Sequence, residues 1–225
     1  MPTILCSDIF ALANRQLHDV AGQTWPSSVM IPYLNLAIYE ICNYKPEAYP
    51  VTKTVTLMGG PVQSLDDNAI ELLDIICNMG TDGLTPGPSV PVLKKEAVDT
   101  LVPDWQTYTP GSVVLFSMID SRNPKYYYTV PPIAVTNPMP KLKLIQAEMP
   151  DKIVDPSDEY PLDASYVPAA VDYLIFRALA ESTTIPGAMQ KAGVFLNKFT
   201  SNLGIKTAVE MKTERKQEAT GEKTE

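Results

Sequence analysis

The residues able to do chemistry in this chain are few: one histidine, two short carboxylate runs, an aromatic triplet and three cysteines. His18 is the only histidine, which excludes paired-histidine metal sites and leaves few Ser-His-Asp arrangements. It stands between Leu17 and Asp19 on a segment of helical spacing, so a surface or edge position is expected. Leu65-Asp66-Asp67 and Asp155-Pro156-Ser157-Asp158-Glu159 could supply Ca²⁺ ligands or paired carboxylates. Neither has EF-hand spacing, and both sit among turn residues, where Asp hydrogen-bonds the backbone. Solvated loops are the expectation for both. Tyr126, Tyr127 and Tyr128 could stack on sugars or bases. On an alternating strand Tyr126 and Tyr128 share one face and Tyr127 takes the other, which suits packing between two sheets or at a subunit interface. Asp104-Trp105 after Pro103 reads as an anchored turn, with the indole filling a pocket.

Other catalytic signatures are missing from the sequence. There is no GxSxG, GxGxxG or GxxxxGK[ST], so hydrolase elbows, dinucleotide folds and P-loops lack support. Cys6, Cys42 and Cys77 are odd in number and have no CxxC spacing, which argues against a disulfide framework or a thiolate metal site. They are expected as small buried hydrophobes in a reducing cytoplasm. The expected inventory is no catalytic residue, no cofactor and no metal.

Charge narrows the partners. A net charge of −8 is unsuited to gripping phosphate backbones, which takes clustered Lys and Arg. The first residues lack a basic segment followed by a long apolar run, and Asp172 and Arg177 interrupt even VDYLIFRALA. No stretch is long enough to cross a bilayer, so a soluble protein made in the cytoplasm is expected.

The elements follow from proline and periodicity. Of 21 prolines, 17 lie between Pro46 and Pro168, so helix-compatible ends flank a proline-punctuated middle. The spacing predicts a helix from Asp8 to Val20 with Ser7 as N-cap and Ile9, Leu12, Ala13, Leu17 and Val20 on one face. A second helix ends near Asn43, with Met30, Tyr33, Leu34, Ala37, Ile38 and Ile41 inward and Pro32 in its first turn. VTKTVTL, Gly59-Gly60-Pro61 and VQSL read as a hairpin. ELLDIIC favours a buried strand, NMGTDGLTPGPSVP a loop and KKEAVDTL a short helix. VVLFSMI and KYYYTV read as a second hairpin, and KLKLIQAE as another strand. A helix capped by Asp163 or Ser165 runs through AAVDYLIFRALAES. The last helix opens at Pro186-Gly187, turns Ala192, Phe195, Leu196 and Phe199 inward, and stops at Gly204.

Five ordered segments resemble the head-to-tail adaptor (connector) proteins of tailed, mainly short-tailed, bacteriophages. They are Trp25-Pro26 with Tyr33-Leu34-Asn35, Ala37 and Tyr44-Lys45-Pro46-Glu47-Ala48; Asn78-Met79-Gly80 through Asp82-Gly83 to Thr85-Pro86-Gly87; Pro103-Asp104-Trp105; Tyr126 to Pro132; and Val171-Asp172-Tyr173-Leu174-Ile175-Phe176-Arg177-Ala178 with a close at Leu203-Gly204-Ile205-Lys206. Lys45 stands where the family's pattern has arginine, and a basic residue is kept. The resemblance covers residues 1–206.

The resemblance implies an α+β fold, a helical bundle formed by both chain ends with an inserted Pro-rich β domain. The expected boundaries are 1–45 for the N-terminal helices, 46–162 for the β domain, 163–204 for the C-terminal helices and 205–225 for a charged, flexible tail. It implies a ring, commonly twelvefold, at the head-tail junction of the virion. The ring would join the portal protein to the tail nozzle or tail tube protein. Genomic DNA would pass through its lumen without sequence-specific binding, and no membrane is involved. Interface anchors are expected at Trp25, Trp105, Tyr126, Tyr127 and Tyr128, with Ile205, Val209 and Met211 of the tail forming a short apolar stripe. The alternative is a tail-associated carbohydrate-binding or hydrolytic β-rich protein.

Overall fold

The computed structural model describes residues 3–183 and 185–221, and from position 205 onward the backbone alone. Its α-helices are α1 (Cys6–Gln16), α2 (Ser27–Tyr44), α3 (Lys95–Leu101), α4 (Val167–Glu181) and α5 (Ala188–Gly221). Its strands are β1 (Pro50–Thr56), β2 (Gly60–Ser64), β3 (Ala69–Met79), β4 (Pro86–Ser89), β5 (Val92–Lys94), β6 (Phe116–Ile119), β7 (Tyr126–Ile133) and β8 (Lys141–Glu148). The fold is α+β, and the chain divides into two compact units, residues 1–45 with 150–225, and residues 46–149.

In the helical unit α4 is the central element and packs against α1, α2 and α5. That explains a helix apolar on more than one face: Ala170, Leu174, Ile175 and Ala178 are each no more than 1% exposed. α2 contributes Met30, Leu34, Ala37, Ile41 and Cys42, all fully buried, and α5 contributes Ala192, Phe199 and Leu203. Tyr173 meets Phe199 edge-on at 5.1 Å, a geometry favoured by the ring quadrupoles.

Several expected boundaries shift. α1 ends at Gln16, not Val20, because His18 takes a φ of 57° and breaks the helix. Asp19 then accepts hydrogen bonds from the backbone N–H groups of Gln23, Thr24 and Trp25. This leaves Val20 outside the helix and exposed, while Phe10 takes an inward place. Ser7 is not the N-cap; Leu5 is, and Asp8 accepts from its N–H at 3.2 Å. α2 starts at Ser27, so Pro32 lies inside it beyond the first turn. Leu196 faces outward, 36% exposed. α5 passes Gly204, the expected stop, and continues to Gly221. A helical glycine costs about 1 kcal/mol relative to alanine, and the Lys, Ala, Glu, Met, Arg and Gln that follow are good helix formers.

In the β unit two four-stranded sheets have the orders β1-β8-β3-β4 and β2-β7-β6-β5. All pairings are antiparallel except that of β5 with β6. Leu72, Ile75, Leu142 and Leu144 of the first sheet pack with Tyr127 and Ile133 of the second. The expected β1–β2 hairpin does not form. β1 pairs with β8 and β2 with β7, so Gly59-Gly60-Pro61 crosses between sheets, and Gly60 supplies the φ of 102° that the crossing needs. The expected loop after Asn78 instead holds the β3–β4 turn and strand β4.

Candidate assembly surfaces

Trp105 and Tyr127 are each 1% exposed. Trp105 sits in a small core with Val98, Met118 and Val130. Its indole Nε1–H donates to Asp99 at 2.9 Å, and Asp99 also pairs with Lys95 at 2.5 Å. The Lys95 ammonium lies 5.5 Å from the Tyr128 ring centroid, and Tyr128 meets Trp105 edge-on at 5.8 Å. The three tyrosines alternate as a strand requires. Tyr127 enters the intersheet core, Tyr128 is half-buried against Trp105, and Tyr126 is 40% exposed. In the helical unit Trp25 is 9% exposed and lines a 340 Å³ cleft with Phe10, Asn14 and Gly22. The side chains of Ile205, Val209 and Met211 lie outside the described residues.

The carboxylate runs are structural. The Asp155–Glu159 segment closes on itself: the Asp158 carboxylate accepts from Val154 and Asp155 N–H, and that of Asp155 accepts from Ser157 N–H. Its carbonyls then cap α1, with Cys6 N–H donating to Asp158 and Ser7 N–H to Pro156. Two of the orphan donors at that helix N-terminus are satisfied this way. Asp66 lies in the exposed turn between β2 and β3, as expected, and its carboxylate is ion-paired there. Lys53 bridges it at 2.7 Å to Glu148 at 2.5 Å. Gln146 Nε2 donates to both carboxylates, and Asn68 donates to Glu148. Among the described residues no group of three His, Cys, Asp or Glu is placed to hold a metal ion, and no helix is long and apolar enough to cross a membrane. Cys6, Cys42 and Cys77 are buried thiols; burial pushes Cys6 and Cys42 up to about 11.

The Lys53 cluster makes a prediction about acid stability. The Lys53 hydrogen bond holds Asp66 below the usual carboxylate range. Burial alone would raise Glu148, but Lys53, Gln146 and Asn68 outweigh it and hold it low as well. Groups with lowered folded values contribute stability above their unfolded values, near about 4, and lose it as pH falls through the folded ones. Lys53, raised by the same partners, contributes below its unfolded value, about 10.4, and loses that contribution above it. Lys53→Met should lower Tm at pH 7 and flatten the fall in Tm between about pH 5 and pH 3. Parallel Tm profiles for wild type and variant would show that the cluster is not linked to folding.

The two units offer different outward surfaces. The outward side of α2 carries Ser28, Pro32, Leu36, Tyr39 and Asn43, with no charge among them. In the β unit Leu84 and Val135 are more than 80% exposed on turns. Isolated apolar residues in turns give no periodic signal, so sequence reasoning passed over these positions. No curated protein matches the chain. The SU10 adaptor protein family matches residues 5–221, nearly the whole chain, and the chain belongs to this family of phage head-to-tail adaptors.

Proposed function

We propose that the protein is a structural ring subunit, a head-to-tail adaptor joining the portal to the tail nozzle or tube and continuing the DNA channel. The observation that carries this reading is the family match over residues 5–221. A ring subunit presents two different surfaces to its neighbours, a heterologous interface closed by rotation. Interfaces of this kind favour aromatic and Met anchors with few buried charges. The uncharged outward side of α2 and the half-exposed Tyr126 suit that use. The net charge of −8 suits a lumen that repels phosphate over the short range set by physiological salt. The two chain ends would form one helical bundle, with the β unit inserted between them. Electron microscopy of the protein mixed with purified portal tests the reading. Rings docked coaxially on the portal are expected, commonly twelvefold. Protein that stays monomeric and unattached at micromolar concentration would refute it.

In the same reading the segment 205–225 is an arm that engages the portal. Ile205, Ala208, Val209 and Met211 recur at helical spacing in the sequence, followed by mixed charges. Exposed ion pairs add well under about 1 kcal/mol each, but many copies in a ring would sum. Deletion of residues 205–225 should leave the folded body intact and weaken portal attachment. Unchanged decoration of portal by the truncated protein would make the segment a passive terminus.

A further inference from the structure

The two sheets of the β unit end in the edge strands β1, β4, β2 and β5, and three of these are blunted. β4 carries Pro86 and Pro88 within four residues and slips register against β3. β2 has Pro61 and a shift between Gly60 and Val62. β5 is three residues long. Short strands, prolines and bulges keep exposed edges from pairing with other chains. β1 is the exception. It runs for seven residues in unbroken register with β8, and its only proline, Pro50, stands at the first position. The Val and Thr of VTKTVT suit a pleated strand. Its single charge, Lys53, is already matched by Asp66 and Glu148.

The hydrogen-bond phase of β1 follows from the bonds at its two ends. Glu148 N–H donates to Tyr49 C=O at 3.1 Å, and Leu57 N–H donates to Pro140 C=O at 2.9 Å. Both bonds continue the β1–β8 register, in which Thr54 stands opposite Lys143. Bonded pairs alternate along an antiparallel ladder, so Val51, Lys53 and Val55 turn their main-chain groups toward β8. Thr52, Thr54 and Thr56 turn theirs out of the edge of the sheet. Among the described residues these outward groups have no hydrogen-bond partner. The three threonines are exposed, while Val51, Lys53 and Val55 are half-buried.

We infer that β1 is a self-association edge, at which two copies of the chain pair β1 to β1 antiparallel about a two-fold axis at Thr54. The pairing joins two sheets of order β1-β8-β3-β4 into one. An outward row of N–H and C=O groups is complementary to another extended main chain, and the residues of β1 make its own copy the fitting one. Centred on Thr54, the pairing sets Thr52 against Thr56 and Thr54 against Thr54. Every outward N–H of the three threonines then meets a C=O. Their side chains line one face as cross-strand Thr–Thr pairs, which are favourable. On the other face Lys53 stands against Val55, so like charges are not opposed. The contact is one strand wide, below the roughly 1,200 Å² of a standard complex, so it is weak and depends on concentration. It is isologous and closes at two copies, which makes it a contact of the free subunit, distinct from head-to-tail contacts in a ring. The inference does not rest on the adaptor reading.

Sedimentation of the full-length protein from micromolar to millimolar concentration tests this. Wild type should pass from monomer to dimer with a Kd on the order of 100 µM. Thr54→Pro removes an outward N–H and spares the β8 ladder, as proline does on an edge whose N–H faces solvent. It should weaken dimerisation roughly tenfold or more with little change in Tm. Thr54→Lys and Thr54→Glu each oppose like charges across the axis, so each alone should stay monomeric. An equimolar mixture of the two should dimerise at least as well as wild type. Lys143 stands opposite Thr54 within the same chain, so a Tm for each variant establishes that it folds. Wild type that stays monomeric at millimolar concentration would overturn the inference. Association that survives Thr54→Pro would place the contact elsewhere and overturn it too. Lys and Glu variants that lose the dimer but do not restore it when mixed would show that β1 pairs with a different strand, and the two-fold pairing would fall.

Discussion

Leu34→Asp and Leu174→Asp should each unfold the helical unit. Both side chains are 0% exposed, and α2 and α4 pack on each other. A carboxylate placed there must be buried charged and unpaired, or be protonated at the expense of its normal ionisation. Such changes cost more than about 4 kcal/mol, a large part of the roughly 5–15 kcal/mol that holds a domain folded. Leu34→Ala, which leaves only a cavity, should cost about 2–5 kcal/mol. Hydrogen exchange makes the prediction specific. In Leu34→Asp the amides of α4 and the first turns of α5 should lose protection together with those of α2, because α4 is the shared neighbour. Full protection of α4 and α5 in that variant would show that the N-terminal and C-terminal helices are separate cooperative units.

The second large effect is expected at Asn78, a buried amide that works as a sheet-to-sheet staple. From β3 its Nδ2 donates to Val114 C=O at 2.8 Å and to Pro88 C=O at 3.2 Å, and its Oδ1 accepts from Val114 N–H at 2.8 Å. Val114, just before β6, is 1% exposed, so water does not replace the amide easily. Asn78→Ala leaves a buried N–H and C=O without partners, at about 1–3 kcal/mol each. A loss of about 3–5 kcal/mol is expected, against little effect from changes at exposed Thr81. Asn78→Asp keeps the acceptor for Val114 N–H but removes both donors and adds a charge, so it should do no better. Urea unfolding in a Trp25→Phe background reads the β unit through Trp105 alone, since the chain has only two tryptophans. A loss below about 1 kcal/mol would mean that solvent reaches the Val114 groups and that the staple is incidental.

Much of this architecture is legible in local sequence because local physics decides it. The 3.6-residue spacing of Met30, Leu34, Ala37 and Ile41 marks the inward face of α2, since a helix forms stably only where such a stripe can be buried. Alternation in KLKLIQAE marks β8, and the order Tyr126, Tyr127, Tyr128 places one ring in the core and two on the other face. The family resemblance was also legible, because turn residues around Asn78 to Gly87 and Pro103 to Trp105 are spaced by backbone requirements. What local sequence does not decide is pairing. Gly59-Gly60-Pro61 has the composition of a hairpin turn, yet β1 joins β8 and β2 joins β7. The choice rests on which apolar faces meet across the intersheet core, a property of strands distant in the chain. The same reason hid Asn78, whose partners lie at 88 and 114, and the Lys53–Asp66–Glu148 cluster, whose members come from three segments. Tertiary structure alone gathered the turns at 58, 84 and 135 at one end of the β unit, because strand register, not sequence proximity, decides which turns share an end of a sheet.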